Sequence, residues 1–212
     1  MKKRKICIAL ALGMLLSATA FAATKNMPVA LTLEEDSSLQ EQAVVHENLL
    51  VLRGDWAKDS QYRPVATVDG ELAGRGEVRW TVDDASYKDE FGFTGELTGK
   101  DIVSVNEKTG EITAMNSGIV RVTCESAENP EANASVIVVV PGDANKDGVI
   151  DEEDVALVVE MATGCMEIPS EDKDDPTTWF LRDLANVSGD TDEIDGDDVD
   201  YLVEIVNGIK NI

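Results

Sequence analysis

Histidine occurs once in this 212-residue chain, at His46, and cysteine three times, at Cys7, Cys124 and Cys165. A lone histidine excludes the usual histidine-centred catalytic triads, and so few, widely spaced cysteines offer neither a zinc-ligand pattern nor an expected disulfide. Basic residues are scarce as well: 18 Lys and Arg face 42 Asp and Glu, a formal net charge of −24 that rules out nucleic acid and anionic membrane surfaces as natural partners. No glycine-rich phosphate loop precedes a helix. Aromatics amount to 5% of the residues, too few to line a shaped sugar cleft, and in so acidic a chain paired carboxylates identify no glycosidase. The chain reads as non-enzymatic, with no catalytic residue to nominate.

The longest apolar run is N-terminal. Lys2, Lys3, Arg4 and Lys5 precede the stretch Ile6 to Leu16, and Ala20-Phe21-Ala22 supplies a small-x-small cleavage pattern, so residues 1–22 read as a secretory signal. Cleavage before Ala23 would take the net charge from −24 to −28. No lipid-attachment cysteine lies at that point and no sorting motif is visible in residues 207–212, so retention at a surface would be non-covalent. The expected location is extracellular, secreted or associated with a cell surface. Residues 23–44 form an acidic leader in which Val29 to Leu33 could add an edge strand.

The segment Asp143 to Asp154, DANKDGVIDEED, places oxygen-bearing side chains at Asp143, Asn145, Asp147, Asp151 and Asp154, with Gly148 where a sharp turn is needed. These are positions 1, 3, 5, 9 and 12 of a helix-flanked calcium loop, and the Val149 carbonyl falls at position 7. A hard cation seeks six to eight oxygens, and no sulfur or imidazole competes here, so calcium suits the set better than magnesium. Without an ion, carboxylates about 4 Å apart repel by about 4 kcal/mol at an effective dielectric of about 20. The bland alternative is an acidic, solvated loop.

A helix is predicted next, with Val155, Val158, Val159 and Ala162 at amphipathic spacing and Gly164 as its stop. The device returns 44 residues later: Asp154, Val155, Val159, Glu160 and Gly164 are answered by Asp198, Val199, Val203, Glu204 and Gly208, and Ile150-Asp151 by Ile194-Asp195. Upstream the offset drops to 43, so the second loop carries one extra residue. Its expected ligands are Asn186, Ser188, Asp190, Asp195 and Asp198, with Asp192 as a substitute, and weaker binding is expected because position 6 lacks glycine. Residues 141–212 carry 21 acidic and 4 basic residues, so a segment of this size is expected to need calcium to fold.

The approach to the first loop is the β-branched run Val136 to Val140 followed by Pro141-Gly142, which leaves no place for an entering helix. Two loop-helix repeats, the first without its entering helix, resemble a type I dockerin over residues 142–212. The resemblance implies a calcium-dependent plug (F-hand repeats) that docks onto a cohesin domain of a scaffoldin in a cellulosome-like, polysaccharide-degrading assembly. Partner-reading positions in that family correspond to Glu152 and Glu153 in the first repeat and to Gly196 and Asp197 in the second. Two adjacent acids ask for a basic patch on the partner, although Glu152 and Glu153 equally suit the positive end of a helix dipole.

Between leader and loop, short alternating stretches read as strands: Leu49 to Leu52, Val65 to Val68, Val78 to Val82, Ile102 to Val105 and Ile119 to Cys124, with a turn at Lys108-Thr109-Gly110. Cys124 falls in phase with Val120 and Val122, which predicts a buried thiol. Seven or so strands in about 110 residues point to an all-β sandwich. Trp80, Val103-Ser104-Val105-Asn106, Gly110, Ile112-Thr113-Ala114, Gly118 and Val136 to Val140 resemble the bacterial immunoglobulin-like group 2 domain over residues 45–140. The segment Tyr87 to Phe93 holds three aromatics that either anchor a long loop or stack on a polysaccharide, anchoring being the ordinary role. The sequence thus predicts a multidomain chain, an immunoglobulin-like sandwich followed at residue 141 by a small helical calcium-binding module. The alternative to docking is a calcium-stabilised surface adhesin or carbohydrate-binding protein without a cohesin partner.

Overall fold

The computed structural model describes residues 29–32, 43–46, 49–52, 61–74, 76–83, 90–171, 175–189 and 193–210. The candidate secretory signal, most of the acidic leader, Tyr87, Asp190 and Asp192 lie outside the described residues. The chain is largely β-sheet, with a few helices concentrated after residue 150.

The strands are β1 (Val29–Thr32), β2 (Ala43–His46), β3 (Leu49–Leu52), β4 (Gln61–Tyr62), β5 (Val65–Val68), β6 (Glu71–Leu72), β7 (Val78–Val82), β8 (Val103–Val105), β9 (Ile112–Ala114), β10 (Gly118–Ser126) and β11 (Asn133–Val140). They form a five-stranded sheet in the order β2-β3-β11-β10-β7 and two three-stranded sheets, β1-β5-β6 and β4-β9-β8. The leader supplies β1, paired antiparallel with β5 at a sheet edge as its apolar run predicts, and it also supplies the start of β2. Most pairs are antiparallel, but β3 runs parallel to β11, with Leu50 opposite Val138.

β10 and β11 form the long central hairpin, in register from Gly118 opposite Val140 to Glu125 opposite Asn133. Along β10 the side chains of Val120, Val122 and Cys124 are buried while Arg121, Thr123 and Glu125 between them are half-buried, the period-2 pattern of a strand with one covered face. Cys124 is buried as its phase predicts, and burial pushes its thiol up to about 12. Both described cysteines are free, Cys165 at the surface.

One expected strand is shorter than its apolar pattern implies. Gly99–Ile102 forms a single helical turn, α1, and only Val103–Val105 is extended. A capping box causes this: the Asp101 carboxylate accepts from the Thr98 backbone N–H at 2.8 Å and from its hydroxyl at 2.7 Å, which favours a turn over a ladder.

Among the described residues the buried apolar side chains form two cores. The first joins the sheets through residues such as Leu50, Trp80, Ile102, Ile112, Val120 and Val138. Phe91 and Phe93 are buried in it, Phe91 edge-to-face with Phe180 at 6.1 Å, so these rings anchor their loop and present no open face to a sugar. The second core lies between helix α2 (Glu152–Ala162) and helix α4 (Gly196–Val206), where Ala144, Val158, Met161, Val187, Ile194 and Leu202 are buried. A 3-10 turn at Pro176–Thr178 and the short helix α3 (Leu181–Ala185) connect the two longer helices. Leu184, Trp179 and Phe180 of this connection belong to the first core. The division of apolar cores therefore does not follow the chain position at residue 141.

Candidate metal centre

β11 delivers the chain into the first loop through Pro141 and Gly142, where the Gly142 N–H donates to the Leu184 carbonyl at 2.8 Å. Ser117 fixes the next residue: its hydroxyl donates to the Val140 carbonyl at 2.8 Å and accepts from the Asp143 N–H at 2.6 Å. Asp143 is 1% exposed and Asp154 fully buried, both unusual for carboxylates.

The loop winds around these two acids. Asp143 accepts from the backbone N–H groups of Asp147 at 3.1 Å and Gly148 at 2.9 Å. Asn145 Oδ1 accepts from the Asp147 N–H at 2.9 Å, while its Nδ2 donates to Asp147 Oδ2 at 3.2 Å. Asp147 Oδ1 accepts from the Val149 N–H at 2.9 Å. Asp154 closes the ring from the helix, Oδ1 accepting from the Asn145 N–H and Oδ2 from the Asp151 N–H, both at 3.0 Å. Gly148 adopts φ +91°, the left-handed turn that position 6 requires. Asp151 is the N-cap of α2, its side chain accepting from the Glu153 N–H at 2.8 Å. The Val149 side chain points outward, 57% exposed.

The second loop repeats the closing contacts and the helix cap of the first. Asp198, fully buried, accepts from the Ser188 N–H at 2.9 Å and the Asp195 N–H at 3.0 Å. Asp195 caps α4 by accepting from the Asp197 N–H at 2.8 Å, and Asn186 is buried at the loop's first position. Both helices begin with a capping box and end at a left-handed glycine, Gly164 at φ +69° and Gly208 at φ +68°. Glu152, Glu153, Gly196 and Asp197, the residues expected to read a partner, are all exposed, on the first turns of α2 and α4.

Electrostatics in the first loop favour a cation. Burial, and then the neighbouring Asp154 and Asp147 carboxylates, push Asp143 up to about 7 against the pull of the Gly148 and Asp147 N–H groups. Burial likewise raises Asp154. A divalent ion would relieve both the desolvation and the mutual repulsion of these acids, so the residues present fit calcium. Among the described residues no three His, Cys, Asp or Glu side chains converge as a metal-binding group. The loop's oxygens come in part from the Asn145 amide and the backbone, which lie outside that residue set.

Sequence reasoning missed two residues. Ser117 lies 26 positions from the aspartate it holds and carries no local signal. Lys146 is 2% exposed and left-handed at φ +64°. Its counterpart at the offset of 43 is Gly189, left-handed at φ +71°, so that glycine is the signal that position 4 needs this conformation.

No family model and no curated protein matches this chain. Among solved structures, the third cadherin domain of human protocadherin 7 aligns at a TM-score of 0.30 and 11% identity, over 47% of this chain and 84% of that one, a likeness too slight to bear on fold family or function.

Proposed function

We propose that this is a secreted, non-catalytic calcium-binding interaction protein in which an immunoglobulin-like sandwich is followed by a dockerin-like module that docks onto a cohesin domain of a cell-surface or cellulosome-like assembly. The observation that carries the reading is the duplication of one loop-helix device. Asp154 and Asp198, both fully buried, each gather a loop amide and an N-cap amide, 44 residues apart in the chain. Calcium would be held in the first loop by Asp143, Asn145, Asp147, Asp154 and the Val149 carbonyl, with Asp151 at position 9. The ion supplies the positive charge that lets the buried carboxylates stay ionised. The exposed first turns of α2 and α4 then form a fixed, acidic face for a basic patch on the partner.

The test is a pull-down from secreted and cell-wall fractions of the source organism, with the chain beginning at Ala23 as bait, in calcium and in chelator. Calcium-dependent recovery of a cohesin-bearing protein is expected, lost on Asp143→Ala with Asp154→Ala. Attachment that persists in that double variant, or in chelator, overturns the docking reading.

A further inference from the structure

The tip of the first loop is not free in solvent; it is pressed into the β-rich part of the molecule. Lys146, between two candidate ligands in the chain, is buried at that contact. Its Nζ donates to the Phe91 carbonyl at 2.9 Å and the Trp179 carbonyl at 2.7 Å, and stands 5.8 Å from the centre of the Phe93 ring. The Lys146 carbonyl in turn accepts from the Thr94 N–H at 2.9 Å and its hydroxyl at 3.3 Å. Next to Thr94, Gly95 lies directly under Asp147 and Gly148. A methyl group there would fall 2.7 Å from the Gly148 Cα and onto the Asp147 carbonyl. Three successive loop residues, 146 to 148, are thus held by a segment more than 50 positions earlier in the chain.

We infer that the first calcium loop is a composite site, in which Phe91, Thr94 and Gly95 position Lys146, Asp147 and Gly148 so that filling the loop and packing the two parts of the molecule together are one coupled equilibrium. The inference rests on the calcium reading above. The Asp147 side chain belongs to the candidate ligand set and Gly148 makes the loop's turn, and their backbone is what the 91–95 segment packs against. By linkage, whatever factor this packing contributes to calcium affinity, calcium returns to the packing.

Gly95→Ala isolates the contact. Gly95 does not occupy the left-handed region, so alanine is compatible with its backbone, and the substitution changes no charge. Lys146→Met removes the two carbonyl bonds; it also deletes a positive charge, which alone would favour a cation, so weaker binding in that variant argues for positioning. The measurement is hydrogen exchange of the chain beginning at Ala23, titrated with calcium. Peptides over residues 143–151 give the first loop its own midpoint, and peptides over 90–96 report the clamp.

The expected result is protection of 90–96 at the same calcium midpoint as the loop, with that midpoint raised about tenfold or more in Gly95→Ala and in Lys146→Met. An unchanged midpoint in Gly95→Ala, with 90–96 indifferent to calcium in the wild type, overturns this inference and leaves calcium binding standing. No response to calcium anywhere in the wild type overturns both.

Discussion

Asp143 is the residue on which the first loop turns, and its protonation has a sign opposite to that of a salt-bridged acid. Its folded value of about 7 exceeds the ordinary 3.8, so between those limits the folded chain holds a proton that the unfolded chain releases. Stability from this source is complete below about pH 4 and lost as pH rises to about 7. In chelator, the thermal midpoint should fall through that window, and Asp143→Asn should remove part of the slope, since the amide does not titrate. Saturating calcium should offset the fall by binding the carboxylate. A chelated midpoint that rises between pH 4 and 7, or a slope unchanged in Asp143→Asn, contradicts the assignment. Lys146 shows the other face of burial: desolvation pushes it down to about 8, against the pull of Asp143, Asp175 and Glu171.

At the scale of elements, α2 and α4 start by one rule. Asp151 and Asp195 adopt extended backbone, cap the helix, and are answered three residues on by Asp154 and Asp198. Removing either cap should cost about 1 kcal/mol. Asp151→Ala and Asp195→Ala, compared by chemical denaturation in chelator, are expected to lose similar amounts, because the capping distances are equal at 2.8 Å. A loss in only one of them breaks the equivalence of the repeats. The helices themselves were legible in the sequence because a helix face repeats every three or four residues, whereas Asp151 and Asp195 were read there as ligands and not as caps. The strand at Ile102 to Val105 was only partly legible, because its apolar pattern competes with the capping box of Thr98 and Asp101, and the local hydrogen bonds won.

At the scale of the whole molecule, the charge sets a problem that packing must answer. Residues 141–212 hold 21 acidic and 4 basic residues, and their connection through Trp179, Phe180 and Leu184 is seated in the first core. In low salt and chelator the chain beginning at Ala23 should expand, measured as hydrodynamic radius, and contract as monovalent salt screens repulsion beyond about 10 Å at 0.1 M. Calcium at micromolar to millimolar concentration should contract it without added salt; a radius indifferent to both would mean that the acidic part needs no counter-ion. What the sequence by itself determined about this protein is the short-range part: the loop-helix repeats, the strand alternation, the buried phase of Cys124 and the edge strand at Val29. Each follows from spacings of a few residues. Only the tertiary structure decided that β3 pairs parallel to β11, that Ser117 holds Asp143, and that Lys146 turns inward to the Phe91 carbonyl. Those contacts join residues 26 to about 90 positions apart, and no local pattern of side chains encodes which distant surface a residue will meet.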